Sequence, residues 1–343
     1  MTALPHTVRT LAHEKWFYDA IPLPTQTEQL AALDVVTATA VALVLAGTVV
    51  GLWFVRGRRD VIPGPPELGA TPGGRRRFYG LVPLVLALHL AVPLFAAALN
   101  SRLFTPNNPL VGPWRVWLGL AQVGVALALV YGAFTRAAAV ALAATWVAGL
   151  AVSGVEPMLE DVWVLGFAAF YWLAGRGPLS GDAMLLPRLA PDGSRAHLAV
   201  PALRLGVGAS MVVLAFTEKL ANLPLAEAFL RQHQVNFTAA LGVPMTDRTF
   251  ALCAGTVELL VGLLVMSGAF IRPVVLLAWV PFNASLMVFG WEELVGHLPF
   301  YASLGVLLVY TGTAEDRALF ARAVGRRPPR AIAGRIKPMA RAA

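Results

Sequence analysis

An all-α polytopic membrane helix bundle is the fold class this chain predicts, on three observations. Of its 343 residues 57% are apolar and only 13% charged, against roughly 45–50% and 25% in soluble domains. Apolar runs recur at lengths that cross a hydrocarbon core of about 30 Å at 1.5 Å per residue. Between those runs the cations collect in alternate loops, the pattern that orients membrane proteins.

Ending each run at charges, proline or glycine predicts nine spans, at 31–55, 78–99, 114–134, 137–153, 161–175, 198–217, 249–267, 270–290 and 295–312. The fourth and fifth are the shortest. The first begins only after about thirty mixed residues and is followed by Arg56, Arg58 and Arg59, the reverse of a cleaved signal peptide's charge order. It reads as a retained span. Residues 1–30 ahead of it contain HEKWFYD, whose adjacent aromatics suit the headgroup zone, so this stretch reads as an extracytoplasmic interfacial segment.

The net charge is +8, with 27 Lys and Arg against 19 Asp and Glu, and 24 of the cations are arginines. Nineteen cations fall on one side of the predicted spans, six of them in 56–77 and eight between Arg317 and the end, while seven fall on the other. The richer side is cytoplasmic by the positive-inside rule, which predicts a multi-pass cell-membrane protein with its N-terminus outside. Residues 313–343 are then a basic cytoplasmic tail, and its arginines sit where anionic lipids attract them. The partner implied is the lipid membrane and not nucleic acid. Cys253 is the only cysteine, so this chain alone builds no disulfide and no cysteine-rich metal or iron–sulfur site. No cofactor framework is visible.

After the first span the remaining eight fall into two blocks of four, 78–175 and 198–312, that enter the membrane from the same side. An offset of 136 residues aligns GAFTR at 132–136 with GAFIR at 268–272, Gln122 with Glu258, and Glu156 with Glu292. From Gln122 to Trp172, eleven of 51 positions are identical. A tandem parallel repeat behind one extra N-terminal helix follows as an expectation.

Charged residues inside spans are expensive and mark candidate sites. Glu258 falls near the bilayer centre and needs a partner or a proton. Arg204, in the preceding span, is the predicted partner. Glu218, Lys219 and Asn222 close the sixth span, and His297 opens the ninth at a similar depth, so Lys219, His297 and Glu258 are expected to line one outward-opening cavity. Apolar walls with a few convergent polar groups suit an amphipathic ligand such as a quinone headgroup.

The second block reads LRLGVGASMVVLAFTEKLAN, then LGVP at 241–244, then VELLVGLLVMSGAFIRP, then His297. It resembles the DoxX family of small four-helix membrane proteins over 204–312, carried by Arg204, Lys219, Gly242 to Pro244, Glu258 with Gly262, Gly268 with Arg272, and His297. The resemblance implies a compact four-helix unit whose polar residues meet in the outer half of the membrane. It also implies an association with quinone-linked oxidation. The first block departs from the pattern: Asn100 and Ser101 fall loosely where Glu218 and Lys219 stand, Gln122 where Glu258 stands, and Asp161 where His297 stands. It reads as a degenerate unit.

The expected function is therefore a membrane subunit of a quinone-linked redox system. Glu258 would exchange protons, Arg204 would hold its charge, and Lys219 with His297 would polarise the headgroup oxygens, with Glu218 and Asn222 beside them. Electrons would come from a redox partner protein. The alternatives are a non-enzymatic receptor, chaperone or assembly factor that contacts a client protein, and a small-solute or ion transporter using the parallel repeat.

Overall fold

The computed structural model describes residues 29–325. Residues 1–28 of the expected interfacial segment, and the basic stretch from 326 onward, lie outside the described residues. The helices follow in order as α1 Gln29–Val55, α2 Pro72–Leu99, α3 Trp114–Tyr131, α4 Thr135–Val152, α5 Val155–Glu160, α6 Trp163–Ala174, α7 Gly181–Met184, α8 Ala199–Leu214, α9 Leu223–His233, α10 Asp247–Ser267, α11 Ile271–Phe289, α12 Trp291–Val309 and α13 Ala314–Val324. No strand occurs among the described residues, only an isolated bridge between Arg102 and Pro109.

Among the described residues seven stretches are long and apolar enough to cross a membrane: Leu33–Val55, α2, α3, α4, the α8 region from Ala196 to Leu220, α10 and α11. Their number and composition mark a multi-pass membrane protein. Of the nine expected spans, the fifth is α6 at only 12 residues, and the ninth is α12, which opens with Glu292 and Glu293 and carries His297. The fifth is short because Gly154, at φ 93, turns the chain into the separate helix α5, and Gly175, at φ 64, ends α6.

Successive helices pack side by side: α2 on α3, α3 on α4 and α4 on α6, and likewise α8 on α10, α10 on α11 and α11 on α12. The two series interlock, because α6 lies on α8 and α12 lies on α2. Where lipid tails are as apolar as leucine, helices associate through close approach of small residues. A Cβ on Gly206 would meet the Gly166 nitrogen at 2.9 Å, and one on Gly208 would meet the Gly262 carbonyl oxygen at 2.9 Å. These contacts seat α8 against α6 and α10. Helix α1 packs on α10.

The two GAF turns have one conformation. Gly132 and Gly268, at φ 66 and 75, end α3 and α10 in the left-handed region, and Phe134 and Phe270, at φ 56 and 45, enter it again before α4 and α11 begin. An arginine follows each: Arg136 Nε lies 3.3 Å from the Trp172 carbonyl oxygen and Arg272 Nε 3.2 Å from that of Leu308. A distant aspartate caps each new helix. Asp182 accepts from the Phe134 and Thr135 amides at 2.7 and 2.8 Å, and Asp60 accepts from the Arg272 amide at 3.1 Å.

The segment after α12 is not featureless tail throughout. Thr313 caps α13, which docks on α2 and on the turn Ala196–Leu198. Fully buried Asp316 accepts from Arg75 and from Thr311, while Phe320 packs edge-on against Tyr79, Phe170 and Tyr310.

Candidate functional site

Helix α8 ends in a π-helical turn, Ala215–Leu220, which carries Glu218 and Lys219. Such wider turns accommodate one extra residue and recur at functional sites. Here the turn lies against α10 at Gly255, where a Cβ would meet the Lys219 Cβ at 3.0 Å and the Leu220 Cγ at 2.9 Å. The missing side chain lets the Lys219 stem run along α10 to Glu258, one turn further on. Lys219 Nζ stands 3.1 Å from Glu258 Oε2 and 3.5 Å from Glu218 Oε2.

Helix α12 brings the remaining groups. His297 Nδ1 lies 3.0 Å from the Glu293 carbonyl oxygen and 3.4 Å from its Oε1. A carbonyl only accepts, so the neutral ring carries its proton on Nδ1. Glu293 and His297 are buried and lie within electrostatic reach of Lys219. Phe282 of α11 stacks on the His297 ring at 4.7 Å, with Tyr301 at 5.9 Å from Phe282.

Among the described residues the Lys219 ammonium pairs with the carboxyls of Glu258 and Glu218, and Glu293 is buried on α12 beside His297. Glu218 is fully buried, whereas Lys219 and Glu258 keep 18% and 23% of their side-chain surface exposed. The cluster is therefore approachable at the ion pair and closed behind it. Chemically it offers a mobile cation donor, a carboxyl that can exchange a proton, and an aromatic wall.

Of the residues singled out from sequence, Glu258, Lys219, Glu218 and His297 come together. Arg204 and Asn222 do not join them. The expected Arg204–Glu258 pair is corrected: the Arg204 guanidinium occupies the space a side chain at Gly268 would need, ten residues and about 15 Å of helix rise beyond Glu258. Asn222 instead opens α9, its carbonyl accepting from the Leu225 and Ala226 amides at 3.1 and 3.2 Å. Glu293, which was not among those residues, lies beside His297 in the structure. Its signal was the i, i+4 spacing to His297, which puts both on one helix face.

The first series of helices builds a polar cluster at the corresponding place, of a different kind. Gln122 of α3 accepts from the Phe104 amide and donates to the Arg102 carbonyl, both at 2.9 Å. Asp161, before α6, accepts from Asn108 at 2.8 Å and from Thr105 and Trp163 at 3.1 Å. Through these bonds the network latches the 100–113 loop onto the bundle. At the opposite end Arg176 donates to the carbonyls of Leu129 and Val130 at the close of α3, and burial lowers its pKa from the ordinary arginine value.

No family model matches the chain, and no curated protein or solved structure matches it.

Proposed function

We propose that the protein is a DoxX-like membrane subunit of a quinone-linked redox system, built as two tandem four-helix units behind one N-terminal helix. The second unit would hold the quinone or quinol headgroup. The single observation that carries this reading is the Lys219–Glu258 pair, partly exposed beside Phe282 and backed by Glu218, Glu293 and His297.

The duplicated architecture is supported by the matching GAF turns, by their arginine contacts 136 residues apart, and by glycines at positive φ opening both α5 and α12, Gly154 and Gly290. In this reading α6 and α12 are the fourth helices of the two units and complete nine crossings. The arginine-rich loops set the GAF ends in the cytoplasm and the cluster on the extracytoplasmic side.

Within the site Lys219 Nζ donates to a headgroup oxygen, and Glu258 takes or returns the proton that accompanies reduction or oxidation. Glu218 balances the ammonium from behind. Glu293 and His297 hold the proton reservoir against α12. Lys219 takes the charge-holding role first given to Arg204, which is too far away. The electrons are supplied by a partner protein, because quinone chemistry needs a donor or acceptor outside these side chains.

The test is extraction of the full-length protein, purified in mild detergent, with organic solvent and quantification of bound quinone per chain. Wild type is expected to carry close to one quinone, with Glu258→Gln and Lys219→Met losing most of it. Wild-type protein that carries none, even after reconstitution with added quinone, overturns the reading and leaves a client-binding or assembly role.

A further inference from the structure

A second site lies at the other end of the bundle and does not depend on the quinone reading. Because α1 packs on α10, a groove remains between α1 and α11. Val49, Val61, Phe270, Pro273, Val274 and Leu277 line it, and its volume is about 300 Å³. Every lining residue is apolar, and the volume is at the lower end of the roughly 300–1,000 Å³ typical of ligand sites.

One lining residue, Val61, follows closely along the chain on a run of arginines. Val61 closes one end, anchored through its neighbour Asp60 to the start of α11. Arg56, Arg58 and Arg59 stand immediately before it, all exposed. Arg58 is held in place: it sits in the left-handed region at φ 60, its amide donates to the Trp53 carbonyl at 2.8 Å, and its guanidinium lies 4.8 Å over the Phe54 ring. A bulky residue in that conformation is uncommon. Here the aromatic stack holds the Arg58 cation three residues before Val61.

We propose that this groove binds an anionic phospholipid, with one acyl chain along Val49, Phe270, Val274 and Leu277 and the headgroup phosphate on Arg56, Arg58 and Arg59. An apolar slot with three exposed arginines within five residues of its lining Val61 offers a partner to each half of that molecule. A zwitterionic lipid would fit the slot but would bring a choline ammonium to the arginines.

The test is native mass spectrometry of the full-length protein after incubation with mixed vesicles of equal phosphatidylglycerol and phosphatidylcholine. Wild type is expected to retain phosphatidylglycerol in preference by about tenfold, the scale of a polybasic patch at a membrane surface. Arg56→Gln/Arg58→Gln/Arg59→Gln should bring retention to parity. Leu277→Trp, at an exposed position that fills the slot without touching the core, should remove retention of both lipids. Arg76→Gln/Arg77→Gln, equally exposed arginines at the start of α2, should change nothing. The proposal is overturned if wild type shows no preference, if the triple variant keeps it, if Leu277→Trp retains lipid like wild type, or if the α2 variant loses as much as the triple one.

Discussion

Lys219 is the residue on which the candidate site turns, because its ammonium pairs with both Glu258 and Glu218. Lys219→Met leaves those carboxyls facing one another in a poorly solvated site. Removing one partner of a buried pair costs roughly 3–5 kcal/mol, and the residual exposure here sets the expectation at about 2 kcal/mol. Adding Glu258→Gln should restore part of that loss in thermal unfolding. Arg204→Met combined with Glu258→Gln should be additive, since the two groups stand about 15 Å apart. Coupling of Arg204 rather than Lys219 to Glu258 would contradict the geometry. Residue types and rough depths were readable along the chain, and they nominated Glu258, Lys219, Glu218 and His297. Pairing was not readable, because a span's depth is known only to about a turn, and within that margin either cation could reach Glu258.

At the scale of the element, the informative cases are the turns and α13. The GAF turns could be recognised as repeated because glycine is the residue that adopts the left-handed region at little steric cost. The aspartates that cap them, Asp182 and Asp60, could not be recognised, since each lies more than 45 residues away along the chain. Helix α13 was hidden for the same reason: its stability comes from Asp316 meeting Arg75, 241 residues earlier in the chain. Asp316→Ala should leave buried Arg75 with only the half-exposed Glu315 as its ion-pair partner, at a cost of roughly 3 kcal/mol. Hydrogen exchange of the α13 amides is the measurement, with an acceleration of about a hundredfold expected from that cost. Glu315→Ala, which removes only a half-exposed partner, should accelerate exchange by well under tenfold. Equal effects of the two would place the docking energy elsewhere.

For the whole molecule the open quantity is the number of crossings, and the short α6 decides it. Asp161 before α6 joins Thr105 and Asn108, whereas Arg176 after it joins the far end of α3. The segment from Asp161 to Arg176, with the 12-residue α6 inside it, therefore reaches from the 100–113 loop to the close of α3. On the proposed nine-crossing reading, four traverses separate Leu68 from Leu185, and three separate Val243 from Arg317. In a Cys253→Ser background, single cysteines at the exposed positions Leu68 and Leu185 should react with an impermeant maleimide only after the membrane is permeabilised. Cysteines replacing Val111 and Val243 should react in intact cells. Labelling of Leu68 and Leu185 from opposite sides would remove α6 as a crossing.

Apolar composition, run length and the alternation of arginines by themselves determined that the chain is a multi-pass helical membrane protein, because a bilayer accepts little else from such segments. They also nominated the costly polar residues. Only the tertiary structure decided that Lys219 reaches Glu258, that Glu293 joins His297, that Arg204 stays under the second GAF turn and that α13 docks on α2. Each of those outcomes rests on contacts between distant parts of the chain, and in a membrane such contacts are set by side-chain packing and glycine approach rather than by hydrophobicity.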